Sequence, residues 1–182
     1  PPAPTPPARE QDASDALANP ELRHVMVVFG KHLIRDQITV EYASRIRRLV
    51  QGIKSGNLKP DLVCFTGGRV RDNYVADASA GYLFFRQLCE HQQVDISELR
   101  FLVESESTCT KEAMRNVVRE VARLEQEERY YLEDEGGRPQ ISPRLQYHFT
   151  LISNEYHLSR MNVVDRLSPG VSLLAPLKAL GA

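Results

Sequence analysis

A carboxylate, an imidazole and a guanidinium stand where apolar runs of this chain give way to polar segments. Glu104 closes the run LRFLVE, while His157 and Arg160 follow YHFTLIS in the segment SNEYHLSR. A carboxylate and an imidazole can trade a proton, and a guanidinium is a permanent cation suited to phosphate or carboxylate. His157 and Arg160 are three residues apart, so a helix shows both on one face. Two arrangements are open. Glu104 facing His157 makes an acid–base pair. Alternatively Asp77, Glu104 and Glu112 hold a divalent cation beside a phosphate, as hard oxygen ligands do. Ser107 or Thr110 as a nucleophile has less support, because the chain has no GxSxG. Each residue also has a structural reading. Thr108 or Thr110 can cap a helix, Asp77 and Glu112 can be first-turn acids, and TGG can be a tight turn.

The elements that must position these groups alternate along the chain. Residues 24–30 (HVMVVFG), 61–68 (DLVCFTGG), 99–105 (LRFLVES) and 147–153 (YHFTLIS) are compact apolar runs that predict buried strands. Residues 171–177 (VSLLAPL) predict a fifth. Between them lie amphipathic segments. The first is capped by Thr39, carries Ala43, Ile46, Val50 and Ile53 at helical spacing, and stops at Gly56-Asn57. The second, residues 77–93, contains Gly81, a weak helix former. The third places Met114, Val117, Val121 and Leu124 on one stripe. That stripe belongs to a long amphipathic helix read through Arg129; within an exposed acidic insertion at about 125–144, residues 130–144 are rich in turn formers and predict a loop or hairpin outside the core.

Strand–helix alternation with near-continuous apolar strands predicts a Rossmann-like three-layer α/β fold with a mainly parallel sheet of about five strands. In such a sheet all carboxyl ends share one edge, and ligands bind there at the switch in strand order. The turns GKHLIRD, TGGRVRDN, ESESTCT and SNEYHLSR should therefore converge. They bring Gly30, Gly67 and Gly68 for close backbone approach, with Lys31, Arg69, Arg71, Lys111, His157 and Arg160 as donors or cations. Helix N-termini add N–H groups and partial positive charge, so an anion is the natural guest. Neither GxGxxG nor GxxxxGK[ST] occurs.

Composition narrows the classes. A chain of 182 residues with 42% hydrophobic and 26% charged residues fits one globular domain, spanning residues 23–182 behind a Pro-rich leader at 1–22. A net charge of −1 argues against nucleic acid. No apolar run approaches the roughly 20 residues of a membrane span. Cys64, Cys89 and Cys109 lack CxxC spacing and suit the cytoplasm or another reducing compartment. A targeting or anchor segment upstream of residue 1 is compatible with a chain that does not begin with Met. The four histidines other than His157 have no spacing that suggests a metal cage.

Taken in order, the segments VVFG (27–30), FTGG (65–68), Asp77-Ala78, ESESTCTKEA (104–113) and ISNEYHLSR (152–160) resemble the motif series of the YdcF-like family. This is the SanA/ElyC/YdcF superfamily of domains of unknown function, and the resemblance covers about residues 24 to 177. The family's asparagine after T-x-E is Ala113 here, and its acid before Ala78 is Asp77. The resemblance implies a Rossmann-like fold and, from at least one member, a pocket for S-adenosylmethionine. Its envelope members imply roles near polyprenyl-phosphate or cell-wall metabolism. It carries Gly67, Gly68, Asp77, Glu104, Ser107, Thr110, Glu112, His157 and Arg160 into the site.

Together these readings predict a domain that binds a small anionic or nucleotide-like ligand, with phosphoryl hydrolysis or transfer as the reaction that suits it. Glu104 and His157 are the catalytic candidates. Gly30, Gly67, Gly68, Arg69, Asp77, Ser107, Thr110, Glu112 and Arg160 are the ligand-binding ones. S-adenosylmethionine or a divalent cation is the expected cofactor. The alternative is an inactive scaffold that docks a protein partner through its leader or acidic insertion, favoured by Ala113.

Overall fold

The computed structural model describes residues 22–70, 72–134 and 146–153, with side chains of the last helix described through residue 127. Four strands form one sheet: β1 (Leu22–Phe29), β2 (Leu62–Thr66), β3 (Arg100–Glu104) and β4 (Gln146–Ile152). Three helices connect them: α1 (Val40–Lys54), α2 (Asp77–Gln92) and α3 (Thr110–Asp134). The strand order is β3-β2-β1-β4 and every pairing is parallel. The chain thus builds outward from β1 in one direction and then returns to its other side. The switch in strand order falls between β1 and β4, where a doubly wound sheet opens its ligand crevice.

Alternation along the strands divides the core into two layers. Met26, Val28, Val63 and Phe65 face α1 and α2, where they meet Tyr42, Ile46, Leu49, Val50 and Phe85. Val25, Val27, Phe29, Leu62, Cys64 and Phe149 face α3, where Met114, Val117 and Val121 close over them. The predicted three-layer α/β fold is therefore present, with four strands described. The fifth, at 171–177, lies outside the described residues, as does the leader through residue 21.

Helix boundaries follow the local chemistry. Thr39 caps α1, its hydroxyl accepting from the Tyr42 N–H at 3.3 Å. Past Ser55, Gly56 takes φ +73°, a left-handed exit that glycine adopts without strain. The loop or hairpin expected from Tyr130 is corrected over its first five residues, because α3 continues to Asp134. Strong helix formers run from Leu124 to Arg129, and Arg123 pairs with Glu120 and Glu127 one turn away on either side.

Gly81 looks like a defect in α2 and is a packing requirement. A Cβ there would lie 2.1 Å from Tyr42 Oη. That hydroxyl sits on a fully buried ring and donates to the Asp77 carbonyl at 3.0 Å, so it has nowhere to move. Gly81→Ala should therefore destabilise the protein by about 1–3 kcal/mol, overriding the gain in helix propensity. Urea unfolding followed by circular dichroism measures this, and a neutral result would show that the α1–α2 contact is looser than described.

Burial also pushes the Cys64 thiol up to about 12 and the Cys89 thiol up to about 11, whereas Cys109 is exposed. A thiol reagent at neutral pH should label Cys109 alone in the folded protein and all three cysteines in denaturant; labelling of Cys64 before unfolding would contradict the layering.

Candidate functional site

The carboxyl edge of the sheet is organised around one buried carboxylate. Glu104 ends β3 with 6% of its surface exposed and accepts five hydrogen bonds. Its Oε2 accepts from the Thr66 hydroxyl at 2.5 Å and the Ser107 hydroxyl at 2.7 Å. Its Oε1 accepts from the Glu106 and Ser107 amides at 3.0 and 2.8 Å and from Asn116 Nδ2 at 3.0 Å. Burial alone would raise its pKa. The donors from Thr66, Ser107 and Asn116 outweigh burial and hold Glu104 below the ordinary glutamate value. A carboxylate so engaged favours its ionised form. Glu104 braces β2, the β3–α3 turn and α3.

The glycines serve the same close packing. A Cβ on Gly30 would fall 2.6 Å from the Asp77 Cβ, and one on Gly67 3.0 Å from it. A Cβ on Gly68 would fall 2.4 Å from the Ser107 carbonyl oxygen. The amides are engaged as well: Gly30 donates to the Thr66 carbonyl, Gly67 to that of Glu104 and Gly68 to that of Ser107, at 2.7 to 3.0 Å. These bonds stitch neighbouring turns together. The start of α2 is likewise satisfied, with the Asp77 and Ala78 amides donating to the Gly68 and Gly67 carbonyls. At α3, Glu112 accepts from the Thr108 amide and hydroxyl at 2.7 and 2.8 Å, as a first-turn carboxylate does.

Asp77 is the second buried acid of this edge. Its Oδ1 accepts from the Leu33 amide at 3.3 Å, and its Oδ2 lies 3.4 Å from His32 Nδ1. Burial raises the Asp77 pKa, while the Leu33 amide and the His32 ring pull it back. The His32 side chain is 74% exposed. A buried carboxylate thus orients an imidazole that is open to solvent, the arrangement that fixes a histidine for proton transfer. Sequence reasoning weighed His32 only as a metal ligand; its partner lies 45 positions away at the start of a different helix.

The β1–α1 and β2–α2 turns interlock. Asn73 donates to the Leu33 carbonyl at 3.0 Å and accepts from the Asp36 amide at 2.9 Å. Asp36 in return accepts from the Tyr74 and Val75 amides at 2.8 and 3.0 Å. Arg35 and Asp36 both take left-handed φ between the bridged residues Ile34 and Gln37, forming a two-residue turn. Below it, buried Arg45 donates to the Phe29 carbonyl at 2.8 Å and pairs with Glu41, which also meets Lys31 at 3.2 Å. A charge on the buried stripe of α1 was the available signal for Arg45. Asn116 carried a weaker one, being a polar residue beside Val117 on the packed face of α3.

Three of the four turns predicted to converge are therefore in contact. The fourth leaves from the same edge, since Ile152 pairs with Val28 near the end of β1. His157 and Arg160 lie outside the described residues. Arg69, Ser105 and Lys111 are exposed on this rim, whereas Ser107 is buried against Glu104. Asp77, Glu104 and Glu112 do not form a cation cage. Among the described residues, no group of three or more His, Cys, Asp or Glu could hold a metal ion. Ala113, where the YdcF-like pattern has asparagine, is buried under the sheet, and Asn116 one turn on supplies a carboxamide to Glu104.

Comparison with protein-family models, curated proteins and solved structures gives no match. Among the described residues, no helix is long and apolar enough to cross a membrane.

Glu104→Gln would turn an amide NH2 toward hydroxyl and backbone donors, at a cost of about 2–3 kcal/mol. Because the folded-state pKa of Glu104 is depressed, its contribution is complete above the ordinary glutamate range and is lost as pH falls through the lower folded value. The stability gap between wild type and Glu104→Gln should therefore shrink on acidification. Urea titrations at several acidic pH values test this, and a gap independent of pH would mean that the brace is not ionic. Asp77, shifted the opposite way, is common to both proteins and cancels.

Proposed function

We propose that this chain is a YdcF-like α/β domain that binds a small anionic, phosphate-bearing or nucleotide-like ligand in the crevice at the carboxyl ends of β1 and β4. Phosphoryl hydrolysis or transfer is the chemistry for which its groups are suited. The observation that carries the reading is the exposed His32 imidazole held by buried Asp77 beside the switch in strand order. In this reading His32 moves the proton. Arg69, with His157 and Arg160 from the turn after β4, supplies the charge that meets the anion. Glu104, Ser107 and the glycines keep the rim in shape. Family likeness contributes by motif order alone, and S-adenosylmethionine enters the ligand panel on that ground.

Thermal shift against inorganic phosphate, a nucleotide panel and S-adenosylmethionine tests the reading. A ligand at a hundred times its Kd stabilises by about 2.7 kcal/mol, which shows as a rise of several degrees. The rise should fall away in Arg69→Ala, His157→Ala and Arg160→Ala. Full-strength stabilisation in all three variants would remove these residues from the site.

A second reading, a scaffold that docks a protein partner, is favoured by a separate observation. Ile34, Val40 and Tyr74 are 67%, 84% and 89% exposed on and beside the interlocked turns. Large apolar groups left in water at one rim are a feature of docking surfaces. If this reading holds, Tyr74→Ser combined with Ile34→Ser should reduce partner capture while leaving the fold and any ligand stabilisation intact.

A further inference from the structure

At the amino end of the β1–β4 pair, two histidines 124 positions apart in sequence come together, away from the rim described above. We propose that His24 and His148 form a two-imidazole site for a borderline transition-metal ion, Zn2+, Ni2+ or Cu2+, bound through the two Nδ1 atoms. Parallel register sets His24 opposite His148. By strand alternation they share the sheet face of Met26, Val28 and Ile152. Their Nδ1 atoms are 3.4 Å apart, with ring centroids at 5.3 Å and ring planes at 83°.

That separation suits two kinds of contact. It is the long end of a hydrogen bond that one imidazole N–H can donate to the other. Two nitrogens bound to one ion at about 2.0–2.1 Å with a tetrahedral angle lie about 3.3–3.4 Å apart. The imidazoles are thus already at the spacing of a chelating pair. Seven consecutive β1–β4 register pairs hold their backbones in place. Imidazole nitrogen selects zinc, nickel and copper over the hard cations calcium and magnesium.

Asp61 lies near but is committed elsewhere: its Oδ2 accepts from the His24 amide at 2.7 Å and its Oδ1 faces Arg23 at 3.8 Å. No third His, Cys, Asp or Glu joins the pair among the described residues. The site exists only with β4 docked on β1. Metal therefore favours the folded chain.

Isothermal titration of the full chain with ZnCl2 and NiCl2 in a non-chelating buffer tests the proposal. The expected result is saturable one-to-one binding that raises Tm and is reversed by EDTA. His24→Gln and His148→Gln should each weaken it by about tenfold or more, while His32→Gln and His91→Gln leave it unchanged. Absence of saturable binding in the wild type, or unchanged affinity in both His24→Gln and His148→Gln, would overturn the assignment. Electron paramagnetic resonance of the wild type with one equivalent of Cu2+ decides the matter even if a variant fails to fold. Nitrogen coupling from two imidazoles supports the site, and a spectrum without it refutes the site.

Discussion

The ionised Glu104 carboxylate is the constraint on which the carboxyl edge depends. Two oxygens collect donors from the end of β2, the β3–α3 turn and the second turn of α3. A carboxylate suits this place, because it offers two oxygens to five donors. The charge also strengthens each bond in a region screened from water. With the turn fixed, the Ser107 carbonyl sits against Gly68 and accepts its amide, which in turn sets where α2 begins. A chain of short-range contacts thus runs from the end of β3 to Asp77.

Much of the architecture was legible in the residues, because hydrophobic periodicity and cap chemistry are local. Thr39 and Gly56 marked the ends of α1 correctly, and the stripe from Met114 to Val121 named the face that α3 buries. The run from Tyr130 to Asp134 was misread as the start of a loop because its nearness to turn formers outweighed the helix before it. At the carboxyl edge, Asp77 and Glu104 were singled out while the contacts they make were not. Glu104 stood out by type and position. Yet a carboxylate saturated by hydrogen bonds and one waiting for a proton look alike in sequence, and only the donors around it tell them apart. The His32–Asp77 and His24–His148 contacts were illegible for another reason, since each joins residues that only strand order brings together.

Self-satisfaction of the helix starts changes how this edge meets a charged guest. Asp77 and Glu112 occupy the first turns of α2 and α3, so the partial positive charge there is already answered by protein. In the anion-binding reading proposed above, attraction passes to exposed side chains such as Arg69 and Lys111, which salt screens. The sheet edge then supplies shape and a held imidazole, and the long cations supply charge.

The exchange of hydrogen bonds between Asp36 and Asn73 has a mechanical corollary. Each residue grips the backbone of the opposite turn, and the tight Arg35-Asp36 corner leaves little slack between them. Neither turn can swing without carrying the other, so together they make a stiff wall.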